Sequence, residues 1–226
     1  SVAFFGFPIL VLDANEGDDK VSVWPENLTV DEIRVQGEGP TASDELVVTA
    51  TAGDDQGTFT PAGPDSGQVD VDGAGALAPV NFVTVEHVTI NGSGGDDDWS
   101  VITTGGEDVI TLTPRVTVDA GSVQVNSFVP MSFTNLGGDG TLTIDESAGG
   151  ANDVLVYNGT GATDTFTVPF GGGLPATSVG LNGQIGVATT GVEVYPLRGL
   201  GGDDTFNVPP QTGLTINVQG DEPGNG

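Results

Sequence analysis

Short runs in which apolar and polar residues alternate recur along the whole chain: KVSV, NLTV, ELVVTA, FVTVEHVTI, DVITLT, VTV, GTLTI, DVLVY, DTFTV, VEVYPL, DTFNV and LTINV. Each is rich in Val, Thr, Ile or Phe and is bounded by Gly, Asp, Asn or Pro, the signature of a strand between turns. Successive side chains of a strand point to opposite faces, so a period of two marks one buried and one wet face. No stretch sustains the 3.6-residue apolar period of a helix. The pattern predicts an all-β chain with helix close to absent.

The runs also repeat one another. VEVYPLRGLGGDDTFNV (192–208) restates VEHVTINGSGGDDDWSV (85–101) position for position, without a gap. GDDKVSVWPENLTVDEIRVQG from Gly17 is similar to GDDTFNVPPQTGLTINVQG from Gly202, and DELVV at 44–48 matches DVLVY at 153–157. These matches predict tandem modules over 17–94 and 95–201 and a third beginning within 202–226. Residues 1–16 are expected to be a strand continuing from a preceding module, in a piece cut from a longer polypeptide.

A finer unit aligns as EGDDKVS, ASDELVV, GGDDDWS, GGEDVIT, GANDVLV, GATDTFT and GGDDTFN. It singles out Asp19, Asp44, Asp97, Asp108, Asp153, Asp164 and Asp204. The interval from Asp97 to Asp108 equals that from Asp153 to Asp164, room for a strand of about five residues and a glycine turn of about six. A coil of similar turns, each unable to bury its apolar face alone, predicts a parallel β-helix or β-solenoid. Tandem immunoglobulin-like β-sandwiches, with about 100 residues and seven strands each, are the alternative.

Composition sharpens this reading. There are 37 glycines among 226 residues, more than twice the usual share of about 7%. They recur beside valine-rich strands and read as turns. The 32 acids face only four bases, Lys20, Arg34, Arg115 and Arg198, for a net charge of −28. Nucleic acid and anionic membrane surfaces, which need basic patches, are poor partners. The carboxylates must face water or bind cations. With no cysteine and His87 alone, zinc of ordinary ligation is excluded. The apolar opening SVAFFGFPILVL lacks a basic flank and is too short to span a bilayer, so no membrane insertion is expected.

In GLGGDDTFN (199–207) a glycine turns the backbone, an aspartate adds a carboxylate and an apolar residue anchors the strand. Carbonyls and carboxylates converging on one loop are hard ligands of the kind calcium accepts six to eight at a time. The stretch resembles the GGxGxDxUx nonapeptide of the repeats-in-toxin family, in which U is a large apolar residue. Gly199, Gly202, Asp204 and Phe206 match it, as do Gly92, Gly95, Asp97 and Trp99, while Leu200 and Ser93 replace the second glycine. In style the chain is similar to large repeat-containing surface and adhesin-like proteins of bacteria. That resemblance implies secretion, an extracellular or cell-surface location, calcium (Ca2+) at the seven aspartates, and an adhesive or scaffolding role. The same Gly-Asp pairs also serve as plain corner formers without metal.

No catalytic constellation emerges. Asp96 with Asp97 and Asp203 with Asp204 are sequence neighbours, which strands send to opposite faces. His87 reads as a strand residue and Trp99 as core. Sequons stand at Asn27, Asn91 and Asn158. The expected function is therefore structural rather than enzymatic: a scaffold, adhesin, surface-layer or fibre segment. Its partners are neighbouring repeats of its own chain, further copies by self-assembly, or surface polysaccharide. The alternative is a polysaccharide- or protein-binding module without catalysis.

Overall fold

The computed structural model describes residues 8–39, 43–73, 75, 77–146, 149–150, 152–169 and 176–220. The opening seven and closing six residues, on which the expected preceding and third modules partly rest, lie outside it. Among the described residues there are twenty strands and one 3₁₀ turn, Pro25–Asn27. The chain is all-β, as the alternation requires.

Four single strands come first, β1 (Ile9–Asp13), β2 (Lys20–Val23), β3 (Glu32–Gln36) and β4 (Glu45–Thr49), alternating between two sheets. Next an antiparallel meander, β5 (Gln56–Pro61), β6 (Gly67–Asp72) and β7 (Val80–Val83), occupies the first sheet. The chain crosses for β8 (His87–Asn91) and returns for β9 (Asp98–Ile102). The same five-strand pattern then repeats with the sheets exchanged. Its meander is β10 (Val109–Pro114), β11 (Gly121–Val125) and β12 (Met131–Thr134), followed by β13 (Thr141–Asp145) and β14 (Val154–Asn158). A third copy returns to the original sheet: β15 (Thr165–Thr167), β16 (Ala176–Leu181), β17 (Gly186–Thr190), β18 (Val194–Arg198) and β19 (Thr205–Asn207). β20 (Thr215–Gln219) then pairs with β18.

The result is two long, open, mixed sheets of 11 and nine strands. Between meanders the pairing is parallel. Gln56 lies beside Asp98, Asp98 beside Thr141, Val109 beside Val154 and Thr165 beside Thr205, so chain segments far apart in sequence become neighbours at a nearly constant offset. The five-strand units begin after Asp55, Asp108 and Asp164. The long repeat that relates 85–101 to 192–208 thus spans two units, which return the chain to the same sheet. The short interval from Asp97 to Asp108 covers one strand and the corner that carries the chain across.

Alternate residues of most strands point into one core, to which both sheets contribute: Val48, Phe59, Ile90, Trp99, Ile110, Leu142, Leu155 and Leu197 are each 1% exposed or less. Trp99 is buried, as its alignment with Phe206 predicts. It packs on Gly57, where a Cβ would lie 2.5 Å from the indole ring. Phe166 stacks on Phe206 at 5.2 Å and meets Tyr157 edge-on at 5.7 Å. His87 is an exposed strand residue, and Trp24 is half exposed.

Candidate metal centre

The corners between the sheets carry the polar chemistry. Asp19, Asp44, Asp97, Asp108, Asp153, Asp164 and Asp204 each occupy the residue immediately before a strand. Asp44, Asp97, Asp108, Asp153 and Asp164 are buried, whereas Asp19 and Asp204, near the two ends of the stack, are half-buried. A buried carboxylate needs donors, and the stacking supplies them. The N–H of one corner residue donates to the carboxylate of the equivalent residue in the next layer. These links are Asp19 to Asp44 (2.8 Å), Asp44 to Glu86 (2.9 Å), Asp55 to Asp97 (2.9 Å), Asp108 to Asp153 (2.8 Å), Asp153 to Glu193 (2.8 Å) and Asp164 to Asp204 (3.0 Å).

Where a unit begins, a threonine four residues earlier caps the aspartate through both its N–H and its hydroxyl. Thr51 caps Asp55, Thr104 caps Asp108 and Thr160 caps Asp164. Asn126 and Asn182, both with positive φ, reach back to donate to Asp108 and Asp164. Sequence reasoning missed Asp55, Glu86, Glu193 and these caps. The recurring spacing T-x-x-x-D was the available signal for the threonines and Asp55.

One oxygen of several corner acids is left over. Asp19 Oδ2, Asp44 Oδ2, Asp97 Oδ2 and Asp153 Oδ2 are buried and have no hydrogen-bond donor. Burial, aided by the charges of Asp55, Asp54 and Asp96, pushes the Asp97 carboxyl up to about 6 despite the Asp55 N–H. Among the described residues the ion pairs lie elsewhere, Lys20 with Glu45 and Arg34 with Glu32.

Among the described residues, these acids converge at one place with a residue of another kind. Glu146, just past β13, turns its side chain inward and is 1% exposed, as are Asp108 and Asp153. The three offer carboxylate oxygens within 4.8 Å of one another. Glu146 Oε2 accepts the Thr103 hydroxyl, but Oε1 has no donor. Burial above all, with the charges of Asp153, Asp108 and Glu193, pushes the Glu146 carboxyl up to about 8. A buried acid cluster of this kind could hold a metal ion. The structure thus brings two of the seven predicted aspartates, Asp108 and Asp153, to one centre. It sets Asp19 with Asp44 and Asp164 with Asp204 in separate ladders, and Asp97 with Asp55. Glu146 carries no Gly-Asp turn to announce it in the sequence.

Of the sequons, Asn91 Oδ1 accepts from Asn135 and from the N–H of Ser93, and the Asn158 amide donates to Thr113. No family model, no curated protein and no solved structure matches this chain.

Proposed function

We propose that the chain is a β-solenoid segment with a structural role in a secreted or cell-surface protein, where it serves as a scaffold, adhesin, surface-layer or fibre component. Calcium at its acidic corners stabilises the stack. The observation that supports this reading is the carboxylate interlock: at corner after corner one layer donates a backbone N–H to a carboxylate of the next, a contact that extends as layers are added. Such repetition yields length and stiffness from nearest-neighbour contacts alone. An acidic stack with four bases repels itself, and an external divalent ion offsets that repulsion. The partners are neighbouring repeats of the parent chain and further copies.

A second reading, a polysaccharide-binding module, is favoured by a shallow groove on the outer face of the first sheet, lined by Gln56, Thr58, Asp70, Asp72, Asp98 and Ser100. Fractionation of the producing cells with antibody detection tests the first reading. Signal in the medium or on the envelope supports it, and signal confined to the cytosol overturns it. Saturable binding of the purified chain to one glycan on an array, lost on Asp98→Ala, would shift the conclusion to the second.

A further inference from the structure

Glu146 stands in a row of three stacked positions. The Thr103 N–H donates to Asp145 O at 3.2 Å and the Glu146 N–H to Thr190 O at 2.8 Å, so Thr103, Glu146 and Gly191 follow the ends of β9, β13 and β17 in register. The rows on either side hold a threonine and a glycine. Corner geometry therefore requires no acid here, least of all one turned into the core. A buried carboxylate without a counter-charge is costly, and the usual resolution is a paired charge or a coordinated metal.

The donors around the cluster leave specific lone pairs free. Asp108 Oδ2 accepts the N–H and hydroxyl of Thr104 at 3.0 and 2.7 Å, and Asp108 Oδ1 accepts the Asn126 amide. Asp153 Oδ1 accepts the Asp108 N–H, and Glu146 Oε2 accepts the Thr103 hydroxyl. Asp153 Oδ2 and Glu146 Oε1 receive nothing. Both belong to residues that are 1% exposed.

We propose that Asp108, Glu146 and Asp153 form a buried calcium site that clasps two stacked crossings of the chain, β9 to β10 and β13 to β14. The proposal rests on the calcium reading above and narrows it to one centre. All ligand atoms in reach are hard oxygens, which selects magnesium, calcium or manganese over zinc or copper. Oxygens within 4.8 Å of one another are spanned by calcium–oxygen bonds of about 2.3–2.6 Å, and carboxylates that bind through both oxygens help fill its six to eight positions. Magnesium demands near-ideal octahedral geometry and keeps several waters, for which a site this buried gives little room. The bound ion joins the corner before β10, the end of β13 and the corner before β14, and so ties both sheets at the middle unit.

The test is calorimetric titration of the chelator-treated chain with calcium chloride and, separately, magnesium chloride, alongside thermal melts. The variants are Glu146→Gln and, as a ladder control outside the cluster, Asp204→Asn. The wild type is expected to bind about one calcium ion per chain and to melt higher with it. Glu146→Gln should bind calcium at least about tenfold more weakly and lose the rise in melting temperature. In chelator Glu146→Gln should melt above the wild type, because the uncompensated acid is gone. Asp204→Asn should keep the calcium response. If Glu146→Gln keeps the full calcium response, the ions sit at other corners: the single-centre proposal fails while the calcium reading stands. If calcium produces neither heat nor a shift in the wild type, both fail. Equal affinity for magnesium overturns the assignment of the ion. Should Glu146→Gln not fold, Asp153→Asn repeats the comparison, and an unchanged calcium response there likewise overturns the site.

Discussion

Gly92→Ala isolates the steric core of the corner. A Cβ on Gly92 would lie 2.0 Å from Asp97 Oδ2 and 2.2 Å from Asn135 O, distances real side chains do not reach. One neighbour is a backbone oxygen held by the strand end. The other is a fully buried carboxylate that accepts the Asp55 N–H at 2.9 Å. To make room, Asp97 must swing off its donor, which costs about 1–3 kcal/mol for a buried group left unpaired. The overpacked backbone adds about 1–3 kcal/mol. The substitution should therefore cost about 2–6 kcal/mol, a large part of the roughly 5–15 kcal/mol a domain has. At about 2–4 °C per kcal/mol this lowers the melting temperature by about 4–24 °C. Gly94→Ala, two residues on in the same turn, is the matched control: its nearest neighbour is Ala52 O at 3.5 Å, so the methyl fits. There the expected change is small, or a gain of about 0.4–1 kcal/mol from the stiffer unfolded chain. Urea denaturation of both variants decides the matter. A difference between them below about 0.5 kcal/mol, the range of inert surface substitutions, would refute the close approach as the reason for the glycine.

Three further outcomes follow from the same contacts. Thr104→Val deletes the hydroxyl that donates to buried Asp108 and should cost about 1–3 kcal/mol, while Thr104→Ser should recover most of it in the same denaturation assay. Asp97 has a folded-state carboxyl raised from 3.8 to about 6, so its stabilising contribution is present below pH 3.8 and is lost as pH rises through about 6. The pH profile of the melting temperature should thus fall less steeply between those values in Asp97→Asn than in the wild type, by at most about 3 kcal/mol in stability. Acrylamide should quench Trp24, which is 49% exposed, and spare Trp99 at 1%, so Trp24→Phe leaves a blue-shifted, poorly quenched emission that moves to longer wavelength only on unfolding.

Local chemistry was legible in the sequence wherever one short stretch held all of it. The alternation in DVLVY and DTFTV marks strands because each residue's face depends only on its parity, and a Gly followed by Asp marks a corner because both residues favour turns. The seven aspartates could be placed before strands on that basis. Asp55 escaped because its strand opens with Gln56 and Gly57, and Gly57 is small only because Trp99, from a distant part of the chain, lies against it. Glu86 and Glu193 read as ordinary strand residues in VEHVTI and VEVYPL. The hydrogen bonds they accept from Asp44 and Asp153 depend on which layers touch. Register was the hidden quantity. Three antiparallel meanders carry the chain back across a sheet before it moves on, so Asp97 and Asp108, close in sequence, precede strands of opposite sheets, whereas Asp55 and Asp97, far apart in sequence, become neighbours. The meeting of Asp108, Glu146 and Asp153 follows from that register and from no local motif.

The exchange of sheets from one five-strand unit to the next gives the stack a parity. Each unit advances the chain and turns it over, so equal positions in neighbouring units display their outward side chains on opposite sides, and only alternate units share a side. Removing one whole unit would preserve the core and the corner contacts yet invert the display of everything downstream. Removing two would shorten the stack and leave every later side chain facing as before. Any surface that reads this segment from one side meets the same chemistry once in every two units, and length can change without altering what that surface sees only in steps of a pair.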